Sequence, residues 1–337
     1  MTPSLEELLA AAVPFALRLR VPFRGLQVRE GMLIKGPSGW GEFAPFDDYD
    51  DERAGRWLEA AIEAAWGDYP APLRDSVSVN AIVPAVDSAK AGFLAREAIA
   101  SSGCTTIKVK VGGALADDEA RVVAVRAALD AAGADGRIRL DANGAWTCDQ
   151  AITSMRRLIA YGIEYVEQPC SELDDIVRLR SQIDVPVAAD EAVRLSNDPT
   201  KLNLSGLVDY AILKPMTLGG AHATVRIASS VGVPVVVSGS LDTGVGLTSC
   251  LAAAAAITDL PLASGLGTGA LFKHDLTDPP VLARDGRLEV RRYAPDLAAL
   301  LAATDAIGAD RAEWWRTRLI GVYAHHSRST GDPVVEG

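Results

Sequence analysis

A chain of 337 residues with 49% hydrophobic and 23% charged residues has the composition of an ordinary globular protein, which excludes a disordered or fibrous chain. Its length allows two domains, or one barrel of about 200 to 250 residues with an appended domain. The net charge of −11 argues against binding to nucleic acid or to an anionic membrane, because both need a basic surface, and it favours a small-molecule ligand.

Targeting and redox signals are absent from the sequence. No uncharged run reaches the roughly 18 residues of a membrane span, and the first residues include Glu6 and Glu7 where a signal peptide would be basic. The four cysteines form no C-x-x-C motif and are too sparse for a disulfide framework. We therefore expect a cytoplasmic protein with reduced cysteines. The sequence leaves the oligomeric state open.

The first 74 residues predict an α+β capping domain. Short hydrophobic runs at 15–19, 25–35 and 40–43 indicate antiparallel strands, and acidic residues at the start of 51–66 indicate a helix. The segment 282–325, with a predicted strand at 287–292 and a helix at 295–303, is expected to complete this domain. Residues 326–337 are expected to be disordered.

Residues 75–281 repeat a different pattern, in which a short β-branched run precedes an alanine-rich amphipathic stretch. This alternation predicts parallel strands covered by helices, and the lack of a G-x-G-x-x-G turn after the first strand favours a closed barrel over an open sheet. The predicted strands are 77–83, 106–111, 137–141, 163–167, 185–190, 208–214, 233–238 and a weak one at 262–266. The predicted helices are 88–101, 117–132, 148–161, 172–182, 200–203, 220–231 and 244–257.

Barrel enzymes place their chemistry at the carboxyl ends of the strands. Carboxylates stand at three successive strand ends, at Asp141, Glu167 and Asp190, one β/α unit apart. Each alone would more often be a helix cap or a loop residue, but together they converge on one rim and need a counter-charge. Since no His or Cys accompanies them, the oxygen ligands predict Mg²⁺, with Mn²⁺ as a substitute.

Lysines stand on either side of these carboxylates, in a chain that has 26 Arg and only 7 Lys. Lys108 and Lys110 are two residues apart in one strand, so they point the same way and each disfavours the charge of the other. Lys110 is therefore the candidate base, and Lys214 approaches the substrate from across the barrel. A site with this charge balance favours an anionic substrate, and proton abstraction next to a carboxylate is the chemistry that it suits.

The ordered set of motifs resembles the enolase superfamily and its muconate-lactonising-enzyme subgroup. The motifs are Lys-x-Lys at 108–110, DANG at 141–144, EQP at 167–169, DE at 190–191 and ILKP at 212–215. The resemblance implies a (β/α)7β barrel with an α+β capping domain, Mg²⁺ held by Asp141, Glu167 and Asp190, and lysines on opposite faces of the substrate.

Three further segments resemble the o-succinylbenzoate synthases of actinobacteria: PFRG at 22–25, GWGEFAPF at 39–46 and VNAIVPA at 79–85. That resemblance implies a lyase that dehydrates 2-succinyl-6-hydroxy-2,4-cyclohexadiene-1-carboxylate in menaquinone biosynthesis, and it places Arg24 and 47–51 in mobile cap loops. The expected substrate-binding residues are Asn143, Ser238, Gly239, Ser240, Gly265, Gly267 and Arg24. Asn143 could equally be a turn residue.

Two other functions stay open on the sequence alone. Members of the same subgroup racemise or epimerise their substrates with nearly the same residues, so an N-succinylamino acid racemase or dipeptide epimerase is the alternative enzyme. A barrel that binds an anion without turning it over is the further alternative, and the intact set of carboxylates and lysines argues against it.

Overall fold

The computed structural model describes residues 2–330. Within this range no helix is both long enough and apolar enough to cross a membrane. The capping domain begins with α1 (Leu5–Ala11) and continues with β1 (Ala12–Phe23), β2 (Leu26–Gly36), β3 (Gly39–Phe43) and α2 (Asp51–Trp66). The three strands form an antiparallel sheet in the order β1-β2-β3.

Local signals in the sequence explain where these elements begin and turn. The first helix starts with a capping box, in which Ser4 and Glu7 satisfy each other's backbone N–H groups, and α2 starts where Asp50 accepts the N–H of Arg53 at 2.8 Å. Between β1 and β2, Arg24 and Gly25 have φ of +50° and +74°. This two-residue turn matches the twist of the paired strands and puts Arg24 at the tip of the hairpin.

The barrel domain alternates short strands with helices, and all of its named strands except the first belong to one parallel sheet. Its strands are β4 (Ser76–Ser78), β5 (Ala81–Val83), β6 (Thr106–Lys110), β7 (Arg137–Asp141), β8 (Ile163–Glu167), β9 (Val187–Ala189), β10 (Tyr210–Leu213) and β11 (Val235–Val237). Its helices are α3 (Ser88–Ser102), α4 (Leu115–Ala131), α5 (Cys148–Leu158), α6 (Leu173–Arg180), α7 (Glu191–Arg194), α8 (Pro215–Leu218), α9 (Ala221–Ser230) and α10 (Leu247–Ala256). Short 3-10 turns lie at Ile159–Tyr161, Pro199–Lys201 and Gly267–Leu271.

Strands β5 to β11 form one parallel sheet in sequence order. The eighth predicted strand, 262–266, is reduced to two bridged residues, because each neighbouring strand is only three residues long and offers it one partner: Ser264 bridges Val79, and Gly265 bridges Ser238. These bridges connect the two edges of the curled sheet. The predicted class, an α/β barrel with an α+β cap, is confirmed.

The barrel interior is filled by side chains in layers. Tyr165, Ala188, Ile212 and Val236 form a compact buried cluster below the carboxyl-terminal rim. Arg139 occupies the same level on β7, opposite Tyr165 in the strand register, and is fully buried. This layer supports the rim residues two positions further along each strand.

The C-terminal segment contacts both domains. Strand β12 (Arg287–Glu289) pairs antiparallel with β4, whereas α11 (Leu297–Ile307) and α12 (Ala309–Thr330) pack on the cap. Thr304 Oγ1 donates to the carbonyl of Pro14 at 2.9 Å, and Trp315 meets Phe43 edge-on with ring centroids 6.1 Å apart.

The expectation of disorder from residue 326 is wrong for 326–330, which continue α12. Burial of Leu319 and Val322 against the cap anchors this helix, and His326 reaches Glu59 at 3.5 Å. The rest of the predicted tail, 331–337, lies outside the described residues.

Candidate active site

Three carboxylates meet at the carboxyl-terminal rim of neighbouring strands. Asp141 ends β7, Glu167 ends β8 directly beside it in the register, and Asp190 follows β9. All three side chains are fully or almost fully buried. The strand order fixes this convergence, because parallel strands bring their carboxyl ends to one edge.

Three lysines pair with these carboxylates. Lys108 Nζ lies 2.6 Å from Glu167 Oε1 and 2.9 Å from Asp141 Oδ2. Lys110 Nζ lies 2.5 Å from Asp141 Oδ2, and Lys214 Nζ lies 2.5 Å from Asp190 Oδ2. The ammonium groups therefore neutralise the carboxylates that meet at the rim. Three buried carboxylates without such partners would be strongly destabilising.

The protonation energetics follow from this crowding. Burial, together with the charge on Asp141, raises the pKa of Glu167 to about 7 against the opposing effect of Lys108. Burial alone would lower the pKa of Lys108, but Asp141 and Glu167 raise it well above its ordinary value. For Lys110 burial prevails, and its pKa is lowered. The pKa values of the two lysines on β6 are thus shifted in opposite directions. Lys108 is suited to stay a cation, and Lys110 is suited to accept a proton.

The metal preference of the site can be judged from its donors. In residues 2–330 no three Asp, Glu, His or Cys side chains are arranged ready to hold an ion, because lysine ammoniums stand between the carboxylates. The donors present are carboxylate oxygens, and Glu167 Oε2 is buried without a hydrogen-bond partner. An all-oxygen set with an unsatisfied buried oxygen fits a hard divalent cation such as Mg²⁺.

A small cavity lies over this rim, between the barrel and the cap. Among the described residues, its wall includes no carboxylate side chain and five cationic ones: Arg24, Lys108, Lys110, Arg194 and Lys214. The predicted residues Asn143, Ser238, Gly239 and Ser240 also line it, and Asn143 Oδ1 accepts from Lys110 Nζ at 2.6 Å. A wall of this charge selects an anionic ligand.

Two predicted substrate residues are placed elsewhere. Gly265 packs against Ser238, and Gly267 packs against the carbonyl of Asn80, so neither is part of the cavity wall, whereas their neighbour Thr268 is. A larger cavity of about 950 Å³ lies between the cap and the segment 267–283. Among the described residues that line it, none is a carboxylate or a lysine of the rim, so we place the reaction at the smaller cavity.

Several wall residues were missed by the sequence reasoning. Phe23, Phe46 and Tyr49 come from the cap, and Arg194 comes from α7. Arg194 is four residues after Asp190 and donates to it at 3.2 Å, but the predicted helices do not include 191–194, so this helical spacing gave no signal. Its guanidinium also contacts the hydroxyl of Tyr49, so it links a carboxylate of the rim to the cap.

Comparison with known proteins agrees with this geometry. The family model described as Enolase C-terminal domain-like matches residues 91–297, and the one described as Enolase N-terminal domain-like matches residues 14–65. A muconate lactonizing enzyme from Pseudomonas fluorescens, solved with muconolactone, has a TM-score of 0.74 at 22% identity, over 87% of this chain and 97% of that one. That likeness shows the fold.

Curated relatives are closer. The o-succinylbenzoate synthase of Thermobifida fusca (strain YX) is 48% identical over 82% of this chain and 86% of its own. The o-succinylbenzoate synthase of Mycobacterium ulcerans (strain Agy99) is 44% identical over 98% of both chains. The chain therefore belongs to the enolase superfamily and, within it, to the family of the actinobacterial o-succinylbenzoate synthases.

Proposed function

We propose that this chain dehydrates 2-succinyl-6-hydroxy-2,4-cyclohexadiene-1-carboxylate to o-succinylbenzoate, with Mg²⁺ as its cofactor. The observation that carries the proposal is the arrangement of the rim, where three buried carboxylates on adjacent strands stand between Lys110 and Lys214. The substrate has two carboxylates, which match the cationic wall of the cavity. Family membership supports the choice of reaction.

Asp141, Glu167 and Asp190 would hold the metal ion, and Mn²⁺ would substitute for it. When bound, the ion supplies positive charge for the electrons that move onto the ring carboxylate of the substrate. Lys108 stays protonated between Asp141 and Glu167, at 2.9 and 2.6 Å. It thereby limits the negative charge of the site and keeps these two carboxylates in place.

Lys110 performs the proton transfers in this proposal. In its neutral form, Lys110 Nζ takes the proton from the ring carbon that bears the carboxylate, and the electron pair of that C–H bond moves into the carboxylate. The pair returns to form a ring double bond as the bond to the neighbouring hydroxyl breaks. Lys110 then gives the same proton to the departing hydroxide, so that water leaves from the same face and the lysine becomes neutral again.

Lys214 acts from the opposite side. It follows β10, four strands from Lys110 in the sheet, with all three carboxylates between them. Lys214 Nζ is paired with Asp190 at 2.5 Å, and its ammonium group would stabilise the planar anion as a cation over a π-system. The racemase and epimerase alternatives need proton transfer on both faces, whereas this dehydration needs it on one.

The cellular role follows from the product. We place the reaction in menaquinone biosynthesis in the cytoplasm, with a small carboxylate substrate as the binding partner. Neither a nucleic acid nor a membrane is part of the proposal, since the chain carries a net charge of −11.

The test is to incubate the purified protein with the cyclohexadiene substrate and Mg²⁺ and to follow formation of the aromatic product. A parallel reaction contains N-succinylamino acids in deuterated water. Lys110→Ala is the matched variant, and we expect it to lose at least about a hundredfold in turnover while it still binds Mg²⁺. Rapid deuterium exchange and racemisation with negligible aromatisation would reject the synthase in favour of the racemase.

A further inference from the structure

A buried polar cluster joins the cap to the barrel loop beside the cavity. Glu42 on β3 and Arg29 on β2 belong to the cap, and they are 1% and 2% exposed. Asp242 and Thr243 follow β11 in the barrel, and both are fully buried. Ionised or strongly polar groups at this depth are costly unless they are paired, so the contacts between them define what the cluster does.

Consecutive residues of the barrel loop are held by this cluster. Glu42 Oε2 accepts from Thr243 Oγ1 at 2.5 Å and from Thr243 N at 3.2 Å. Arg29 Nε donates to the carbonyl of Leu241 at 3.1 Å, and Asp242 Oδ2 accepts from Ser240 N at 2.8 Å. Two of these four contacts cross from the cap to the barrel through Glu42 and one through Arg29.

The barrel loop around residues 241–246 is strained and closely packed. Leu241 has φ of +63°, in the left-handed region that a leucine adopts only when its surroundings impose it. A Cβ on Gly246 would lie 2.6 Å from Glu42 Oε2 and 3.0 Å from Asp242 Cβ, so the glycine lets the two acidic side chains approach the same point. Asp242 Oδ1 has no hydrogen-bond partner among the described residues.

We propose that Glu42 and Arg29 are positioning residues, through which the cap sets the conformation of residues 238–241 and with it the binding of the substrate. Ser238, Gly239, Ser240 and Leu241 all line the cavity over the reactive lysines. Neither Glu42 nor Arg29 is part of that wall, so their effect on the substrate passes through the loop. This inference rests on the proposed function.

The charges of the cluster give the proposal a pH signature. Two carboxylates and one guanidinium are buried together, and Arg24, Asp47 and Cys250 are the other titratable groups that act on them. Burial, and then the charge on Asp242, raises the pKa of Glu42 to about 8. Glu42 is therefore protonated at neutral pH. Above pH 8 it becomes a buried anion beside Asp242. The hydrogen bonds from Thr243 favour this anion, but the repulsion between the two carboxylates disturbs the loop that both of them hold.

The experiment measures kcat and KM from pH 7 to 9.5 for the wild type, Glu42→Gln and Glu30→Gln. Glutamine reproduces the size and hydrogen bonding of the protonated acid but cannot ionise. Glu30 is the matched cap glutamate: its side chain binds Arg311 and Trp315, and among the described residues it makes no hydrogen bond or ion pair with the loop at 238–243. We expect the KM of the wild type and of Glu30→Gln to rise about tenfold above pH 8, because the two buried carboxylates then repel each other, and that of Glu42→Gln to stay level.

A second variant and a second readout complete the test. Glu42→Ala should raise KM about tenfold already at pH 7 and leave Mg²⁺ affinity unchanged. Because a raised pKa means that the folded state keeps a proton that the unfolded chain loses, wild-type stability should fall as pH rises from about 4.5 to 8, and less so in Glu42→Gln. A KM of Glu42→Gln that rises with pH as the wild type's does would overturn the inference. A wild type that forms no aromatic product would instead overturn the proposed function.

Discussion

Arg139 offers the strongest test of how the barrel is held together below its reactive rim. Its side chain is fully buried inside the barrel, where Nε donates to Glu164 Oε2 at 2.6 Å. Nη1 donates to Asn80 Oδ1 at 2.9 Å and to the carbonyl of Ala263 at 2.6 Å, next to the residue that bridges the sheet edge. One guanidinium thus joins β7, β8, the start of β5 and the closing segment.

Replacing Arg139 with methionine keeps most of the volume and removes every donor. A carboxylate and two oxygens then lose their partner, and breaking a buried ion pair costs about 3 to 5 kcal/mol. Since the Glu164 side chain is 16% exposed and can regain some water, we expect the lower end of this range, about 3 kcal/mol. With an m value of about 3 kcal/mol/M, the urea midpoint should fall by about 1 M.

The assay is urea unfolding followed by tryptophan fluorescence, and Arg137→Met is the matched control. Arg137 lies on the same strand, but its side chain is 58% exposed and its contact with Asp135 is 3.9 Å long. We expect the control to change stability by less than about 0.5 kcal/mol. Equal midpoints for the two variants would refute the view that Arg139 ties the barrel together.

Three other outcomes are expected. A chelator should abolish turnover, Mg²⁺ or Mn²⁺ should restore it, and Asp190→Asn should weaken Mg²⁺ binding measured by calorimetry; full turnover by metal-free protein would contradict this. Lys110→Arg should lose at least about a hundredfold in kcat in the aromatisation assay, because guanidinium cannot release its proton at working pH. Trp315→Ala should lower the free energy of unfolding in urea by about 3 to 5 kcal/mol, because Trp315 is 1% exposed and packs against Phe43. Trp314 is only partly buried, so Trp314→Ala should cost clearly less; equal losses would contradict the view that α12 is part of the cap core.

The rim could be predicted from the sequence because its charged residues stand at the ends of predicted strands. Lysines are rare in this chain, so Lys108 and Lys110 inside a strand already stand out, and carboxylates one β/α unit apart must converge once the sheet curls. The strands themselves were predictable because short β-branched runs alternate with alanine-rich stretches. Both signals are local, and the regular repeat of the barrel converts them into a site.

The contacts that cross the chain could not be predicted in this way. Glu42 meets Thr243 over a separation of 201 residues, and nothing in the segment 39–46 alone indicates a buried acid. The helix α12 was missed although Trp315, Leu319 and Val322 follow helical spacing, because charged and aromatic residues between them weaken the pattern. Strand 262–266 was overestimated, since single bridges suffice where its neighbours are short.

The packing of α12 on the cap has a consequence for synthesis on the ribosome. Arg318 donates to the carbonyls of Phe46 and Tyr49, at 3.2 and 2.6 Å, and both of these residues line the cavity. The cap is the first domain to leave the ribosome, but it cannot complete its packing until α12, near the end of the chain, has been synthesised. The barrel, whose neighbouring strands follow one another, can form earlier. A chain interrupted before residue 309 would contain the lysines and carboxylates of the rim but would lack the helix that completes the cap.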